Sequence, residues 1–129
     1  MIKKTYTGIN IQFPISQLIL SGKKTIETRT YPLPLKYLGQ DMLLIETSGK
    51  NEKFSARIIA IIRFSNCHKY KNSKEFYKDT KAHFVSPESP WAWKDDKPKW
   101  GWTVEVVGRL PPQQVTKKKG IIYTSSISI

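Results

Sequence analysis

The sequence has 129 residues, 39% hydrophobic and 12% aromatic, which is enough for one domain, residues 1–129, with its own core. Its 22 basic residues outnumber its 10 acidic residues, and the net charge of +12 favours an anionic partner such as nucleic acid. A single cysteine excludes an internal disulfide, and no apolar segment is long enough for a membrane span or a signal peptide, so we expect a cytoplasmic protein without a membrane partner.

The N-terminal part of the chain predicts a strand, a short helix and a second strand. Apolar and polar residues alternate over residues 6–13, which is typical of a strand with one buried face. Pro14 then begins a short helix whose residues 18–20 face inward and which Gly22 ends in a left-handed conformation. β-Branched residues dominate residues 25–31, and the prolines that follow end this second strand.

The middle and the C-terminal part predict more strands and few helices. Residues 42–47 and 54–64 form a hairpin, and Ser73 caps a brief solvated helix. Residues 83–102 form a rigid loop rich in aromatic residues and proline. A strand at 102–107 ends at Leu110 and the two prolines after it, and a last strand covers residues 120–124. The fold class is therefore α+β and mainly β, a small β-barrel with two or three short helices, because no long helix alternates with the strands.

One segment, residues 21–34, combines cations, a carboxylate and an aromatic residue within a predicted strand. Alternation puts Thr25, Glu27, Arg29 and Tyr31 on one face and Lys24 on the other, together with Ile26 and Thr28. Two interpretations remain open. Glu27 and Arg29 form an internal ion pair at the mouth of the barrel, or the segment lines a ligand site in which Lys24 and Arg29 bind phosphate and Tyr31 stacks on a base.

The segment from Gly22 to Arg29, Gly-Lys-Lys-Thr-Ile-Glu-Thr-Arg, is followed by Tyr31-Pro32 and resembles the opening motif of the ASCH domain family. Three later motifs agree with it: Trp91-Ala92-Trp93, Trp100-Gly101-Trp102 and Gly120-Ile121-Ile122-Tyr123. The resemblance covers about residues 8–124. It implies a PUA-like β-barrel that acts on RNA or on nucleosides.

Members of the family that this chain resembles follow two chemistries. Some resemble ribonucleases that act on single-stranded RNA, and others hydrolyse the amide of N4-acetylcytidine with a threonine, a lysine and a glutamate. The resemblance places that lysine at Lys24, but Glu27 stands where the threonine is expected. A carboxylate does not supply the nucleophilic hydroxyl, so the resemblance favours a ribonuclease over an amidohydrolase.

The candidate residues follow from these two arguments. For metal-free cleavage of RNA, the residues of suitable type are Lys24, Glu27, Tyr31 and Lys36, with a C-terminal hydroxyl such as that of Ser125 as a further candidate. We expect Trp100 and Trp102 in the core, whereas Trp91 and Trp93 are candidates for stacking on bases. The run from Lys117 to Lys119 is either a solvated turn or a rim that follows phosphates. The predicted nucleic-acid contacts are Lys23, Lys24, Arg29, Tyr31, Lys36, Trp91, Trp93, Lys117 and Lys118.

Metal and cofactor sites are not expected. His68 lies beside the single Cys67, but no second cluster completes a zinc site, and His83 is expected at the surface or as a capping residue. The predicted ligand is RNA, single-stranded nucleic acid, or a nucleotide or nucleoside, bound in a basic cleft around residues 23–36. Two alternatives stay open, an amidohydrolase for a modified nucleoside such as N4-acetylcytidine and a protein-interaction adaptor.

Overall fold

One mixed β-sheet and three short α-helices make up the fold. The structure is a computed structural model, which describes residues 4–49, 53–115 and 122–129. The strands of these residues are β1 (Thr5–Gln12), β2 (Ile26–Arg29), β3 (Asp41–Thr47), β4 (Arg57–Lys69), β5 (Trp100–Gln114) and β6 (Tyr123–Ser128). The helices are α1 (Ile15–Leu20), α2 (Ser73–Lys78) and α3 (Thr80–His83), and Leu35–Tyr37 form a 3-10 turn.

The strands follow the order β2-β5-β4-β3-β1-β6 across the sheet. β1 and β3 run parallel, and the other neighbours run antiparallel. Side chains of β1 and β2 nevertheless line one cleft, although these strands are not neighbours, so the sheet curls over its inner face. Its edges, β2 and β6, do not pair within the described residues. The mainly-β, α+β fold is confirmed, and the sheet is a curled, open one and not a closed barrel.

The core fills the concave face of the sheet, with Trp102 at its centre. The Trp102 side chain is fully buried, and its ring packs edge-on against Phe64 and Tyr31 at centroid distances of 5.4 and 5.7 Å. Its indole N–H donates to the carbonyl of Tyr31 at 3.2 Å, which satisfies the one polar atom of the side chain. Trp100 is partly buried and packs against the same cluster. The prediction that both residues belong to the core is confirmed.

Gly101, between these tryptophans, lies opposite His68 on β4 and faces the outer side of the sheet. A Cβ atom here would lie 2.8 Å from a ring carbon of His68 and 2.9 Å from the hydroxyl oxygen of Tyr70. The position therefore requires glycine, because any side chain would clash with His68 and Tyr70. The close approach lets Tyr70 pack onto the sheet, where it joins Phe76 and Val85 in a second buried cluster under α2.

Several predicted boundaries are wrong. β4 continues beyond Phe64, because its polar residues up to Lys69 pair with the start of β5. β5 does not end at Leu110; it includes Pro111 and Pro112. The pairing between β4 and β5 shifts register between Ile58 and Ala60, so the prolines lie in an irregular stretch where the ladder does not need their missing N–H groups.

Two further corrections concern the ends of elements. The N-cap of α2 is Asn72 and not Ser73, since the Asn72 side chain accepts a hydrogen bond of 2.9 Å from the backbone N–H of Glu75. The last strand extends beyond residue 124, from Tyr123 to Ser128, whereas residues 120 and 121 of the predicted strand lie outside the described residues.

A buried carboxylate, which the sequence did not reveal, ties α1 to the sheet. Glu46 of β3 has no exposed side-chain surface, and it accepts hydrogen bonds from Ser16, Gln17 and Arg57. Burial by itself would raise the pKa of Glu46, but the three donors and the positive charge of Arg57 outweigh it and hold the pKa below its ordinary value of 4.5. Glu46 is therefore ionised at neutral pH and stabilises the folded state.

We expect Glu46→Gln to lower the free energy of unfolding at pH 7 by about 2–4 kcal/mol, because it removes a charged acceptor from a buried network. The matched control is Asp41→Asn, whose partly exposed ion pair with Arg63 is worth less than about 1 kcal/mol. Urea unfolding of the three proteins measures both values.

The stabilisation by Glu46 is complete above the unfolded-state pKa and is lost as the pH falls through the lower folded-state pKa. The stability difference between wild type and Glu46→Gln should therefore shrink as the pH falls below 4.5. A difference that stays constant down to the acid transition would show that Glu46 does not carry this charge.

Candidate functional site

A cleft of about 490 Å³ opens between the end of β1, the β2 segment and the loop that precedes β5. Polar, charged and aromatic side chains line it together with a few apolar ones. Those that bear on function are Lys24, Glu27, Arg29, Tyr31, Trp91 and Lys99. The first four belong to the charged segment that the sequence identified, so the structure brings these four predicted residues together at one cavity.

Glu27 is the centre of a charged network in the cleft. Its carboxylate accepts from the guanidinium of Arg29 at 2.8 Å and lies 3.6 Å from the ammonium of Lys24. Arg29 also donates to the hydroxyl of Tyr31 at 3.3 Å, and its guanidinium lies 5.6 Å from the centre of the Trp102 ring. The interpretation of an internal ion pair is therefore confirmed, and the pair lies in a ligand-sized cleft.

The register between β2 and β5 explains which side chains face the cleft. Glu27 pairs with Trp102 and Arg29 with Trp100, and residues directly opposite in an antiparallel pair share a face. The prediction that Lys24 lies on the other face from Glu27 is wrong. Strand alternation does not apply to Lys24, because β2 begins only at Ile26 and the N–H of Lys24 donates to the carbonyl of Leu18 in α1.

Lys24 is held by His83, the last residue of α3. It is 4% exposed, and its ammonium donates to the backbone carbonyl of His83. Burial lowers the pKa of Lys24, and the positive charge of Arg29 adds to this effect, while Glu27 opposes it. A lysine in this position gives up its proton more readily than one at the surface.

His83 fixes the backbone that holds Lys24. Its ring is buried, so the expected surface position is wrong, although the ring does cap the chain after α3. Nδ1 accepts from the N–H of Val85 at 2.9 Å, which leaves Nε2 to donate to the carbonyl of Phe76 at 2.7 Å. Burial also lowers the pKa of His83, so the ring is neutral at pH 7.

The two loop tryptophans have different surroundings. Trp91 lines the cleft with 47% of its surface exposed, while its backbone N–H donates to the hydroxyl of Ser89. Trp93 instead packs against Phe76 at 5.8 Å, and its indole N–H donates to Asp95. Trp91 remains a candidate for stacking on a ligand, whereas Trp93 anchors the loop.

Other predicted residues lie outside the cleft. Lys23 is exposed beyond α1, and Lys36 is exposed and contacts the ring of Tyr37 at 5.1 Å. Ser125 is exposed on β6. Lys117 and Lys118 lie outside the described residues. Lys36 was expected in the cleft because it is close in sequence, but the 3-10 turn directs the chain away from β2.

Lys99 lines the cleft although it was not among the predicted residues. It follows Pro98 and precedes the first residue of β5, and only 6% of it is exposed. The sequence feature that could have indicated its burial is its position between Pro98 and the aromatic start of β5.

The described ranges contain neither a cluster of metal-binding side chains nor a helix of membrane-spanning character. No three His, Cys, Asp or Glu side chains in them group closely enough to hold a metal ion. No helix in them combines the length and the apolar character of a membrane span.

The fold is similar to that of an ASCH protein from Zymomonas mobilis. The crystal structure of that protein superposes with a TM-score of 0.69 at 14% identity, over 93% of this chain and 86% of that chain. A serine-to-alanine mutant of that protein gives a TM-score of 0.67 at 14% identity, over 93% of this chain and 87% of that chain. A tyrosine-to-phenylalanine mutant gives a TM-score of 0.68 at 14% identity, over 95% of this chain and 90% of that chain. No protein-family model matches the sequence, and no curated protein matches it significantly. The resemblance found in the sequence is thus confirmed in the structure, and the chain has the fold of an ASCH domain protein.

Proposed function

We propose that this protein binds RNA or another single-stranded nucleic acid and takes one nucleotide unit into the cleft. The observation that carries the proposal is the composition of the cleft, where fixed cations lie beside a half-exposed tryptophan. Its volume of about 490 Å³ falls in the range of roughly 300–1,000 Å³ that is common for small-molecule sites.

The cations of the cleft are preorganised. Arg29 is held by Glu27 and Tyr31, and Lys24 by Glu27 and the carbonyl of His83, so their side chains have little freedom to lose when a ligand binds. The guanidinium of Arg29 has further N–H donors for a base edge or a phosphate. With Lys99, the charged side chains of the cleft carry a net positive charge, which favours an anionic ligand.

Trp91 supplies a stacking surface at the cleft. Its backbone is fixed by Ser89 while its ring remains open to solvent, so a base can stack on it without rearrangement of the loop. Stacking of this kind is worth about 1–3 kcal/mol per base and tolerates any base. An unpaired base is required, because bases within a duplex are already stacked.

Ribonuclease activity is the second candidate, since Lys24, Glu27 and Tyr31 share the cleft. In metal-free cleavage, the carboxylate of Glu27, beside the ammonium of Lys24, takes the proton of the 2′-hydroxyl, and the 2′-oxygen attacks phosphorus. Arg29 stabilises the negative charge of the phosphorane, and Tyr31 protonates the departing 5′-oxygen. The products are a 2′,3′-cyclic phosphate and a free 5′-hydroxyl.

The amidohydrolase alternative receives less support from the contacts. Within the described residues, no threonine hydroxyl hydrogen-bonds to Lys24 or Glu27. Thr28 lines the cleft but alternates with Glu27 along β2, where it pairs with Gly101, and Thr25 precedes the strand with an exposed side chain. A threonine nucleophile needs a base within hydrogen-bond reach, and neither hydroxyl makes such a bond to Lys24 or Glu27.

We expect labelled single-stranded RNA to be retarded in a gel, and Trp91→Ala to weaken the affinity by about tenfold through lost stacking. Trp91→Phe keeps an aromatic ring and should retain most of the affinity. Lys36→Ala is the matched surface control and should change it little. Equal binding by wild type and Trp91→Ala, or tighter binding of duplexes, would contradict the proposed site.

The nuclease proposal has its own measurement. Incubation of 5′-labelled single-stranded RNA with wild-type protein should yield shorter fragments, and Lys24→Ala or Tyr31→Phe should abolish them. Lys23→Ala removes an exposed neighbouring charge and should leave cleavage unchanged. RNA that stays intact during long incubation with pure protein rules the activity out, and conversion of N4-acetylcytidine to cytidine would instead favour the amidohydrolase.

A further inference from the structure

Lys99 differs from the other cations of the cleft because its ammonium has no partner among the described residues. Its side chain is 6% exposed and lines the cleft, yet its ammonium makes no hydrogen bond and no ion pair with any described residue. Lys24 and Arg29, in contrast, both contact Glu27. Glu27, the one carboxylate among the described residues that line the cleft, is therefore already shared by two other cations.

The backbone holds Lys99 in place. Its carbonyl accepts a hydrogen bond of 2.9 Å from the N–H of Tyr70, which follows the last residue of β4. The next residue, Trp100, pairs with Lys69 on one side and with Arg29 on the other. Lys99 is thus anchored at the point where three strands meet, and not on a mobile loop tip.

The Lys99 side chain is largely buried, and no counter-charge among the described residues compensates for its ammonium. Removal of a charge from water costs several kcal/mol unless a partner compensates for it. Burial lowers the pKa of Lys99, and the charges of Lys94 and Lys97 lower it further. An anion in the cleft would supply the missing counter-charge.

We propose that Lys99 is the anion-binding residue of the cleft and pairs with the phosphate of a bound nucleotide. The identity of the ligand rests on the proposed function, whereas the anion site itself does not depend on it. The consequence is selectivity. The cleft takes a phosphorylated ligand, either a nucleotide or a unit of an RNA backbone, in preference to the neutral nucleoside.

Three proteins test this inference, and the probes are inorganic phosphate, adenosine 5′-monophosphate and adenosine. We expect wild type to bind the monophosphate at least about tenfold more tightly than adenosine, as measured by calorimetry. Lys99→Gln should abolish this preference and the binding of inorganic phosphate. Lys97→Gln, an exposed charge two positions away in the same loop, is the control and should keep both.

A second variant guards against misfolding. Lys99→Met keeps the length and the apolar stem but removes the unpaired charge, so without ligand its unfolding midpoint should equal or exceed that of wild type. Added phosphate should raise the midpoint of wild type and leave that of Lys99→Met unchanged. A variant that is at least as stable as wild type but no longer binds phosphate would show that the charge of Lys99 serves ligand binding and not stability.

The outcomes separate the two proposals. Equal phosphate affinity in wild type and Lys99→Gln, or no phosphate binding by wild type, overturns the role of Lys99. If phosphate binds through Lys99 but single-stranded RNA does not bind wild type, the proposed function fails and the anion site stands. If RNA binds wild type and Lys99→Gln equally, the proposed function stands and the role of Lys99 fails.

Discussion

The site depends on one buried carboxylate, that of Glu27, held between two cations. Arg29 donates to it at 2.8 Å, and the ammonium of Lys24 lies at 3.6 Å, with only 9% of the Glu27 side chain exposed. Each of these charges would be costly to bury alone, and together they compensate one another. The shared carboxylate fixes the rotamers of both cations and partly neutralises them. It also leaves the third cation, Lys99, without a counter-charge among the described residues.

Layers on both sides of the curled sheet hold this arrangement. On the concave side, the Trp102 ring lies under the guanidinium of Arg29 and edge-on to Tyr31, so the core and the site share a wall. On the convex side, the missing side chain of Gly101 leaves space for Tyr70. Tyr70 and Phe76 pack against the ring of His83, and the backbone carbonyl of His83 accepts a hydrogen bond from Lys24. Packing on one face of the sheet therefore positions a charge on the other.

Local patterns in the sequence predicted what depends on neighbours in the chain. Alternation placed Glu27, Arg29 and Tyr31 on one side, and the pairing of β2 with β5 confirms that Glu27 and Arg29 share a face. Features that depend on distant partners were missed. The position of Lys24 follows from contacts with α1 and with the last residue of α3, and Glu46 is satisfied by donors from α1 and β4. The prolines of β5 remain in the strand because a register shift in its partner accommodates them.

The most direct measurement is a titration of isotope-labelled protein with a short single-stranded RNA, followed by NMR chemical shifts. The central claim is that the cleft between β1 and β2 receives the ligand. It predicts that the shifts concentrate at Arg29, Trp91 and Lys99, including the indole N–H of Trp91, while Trp93 and Lys36 change little. Shifts centred on the face around Lys36, with the indole of Trp91 unmoved at saturation, would contradict it.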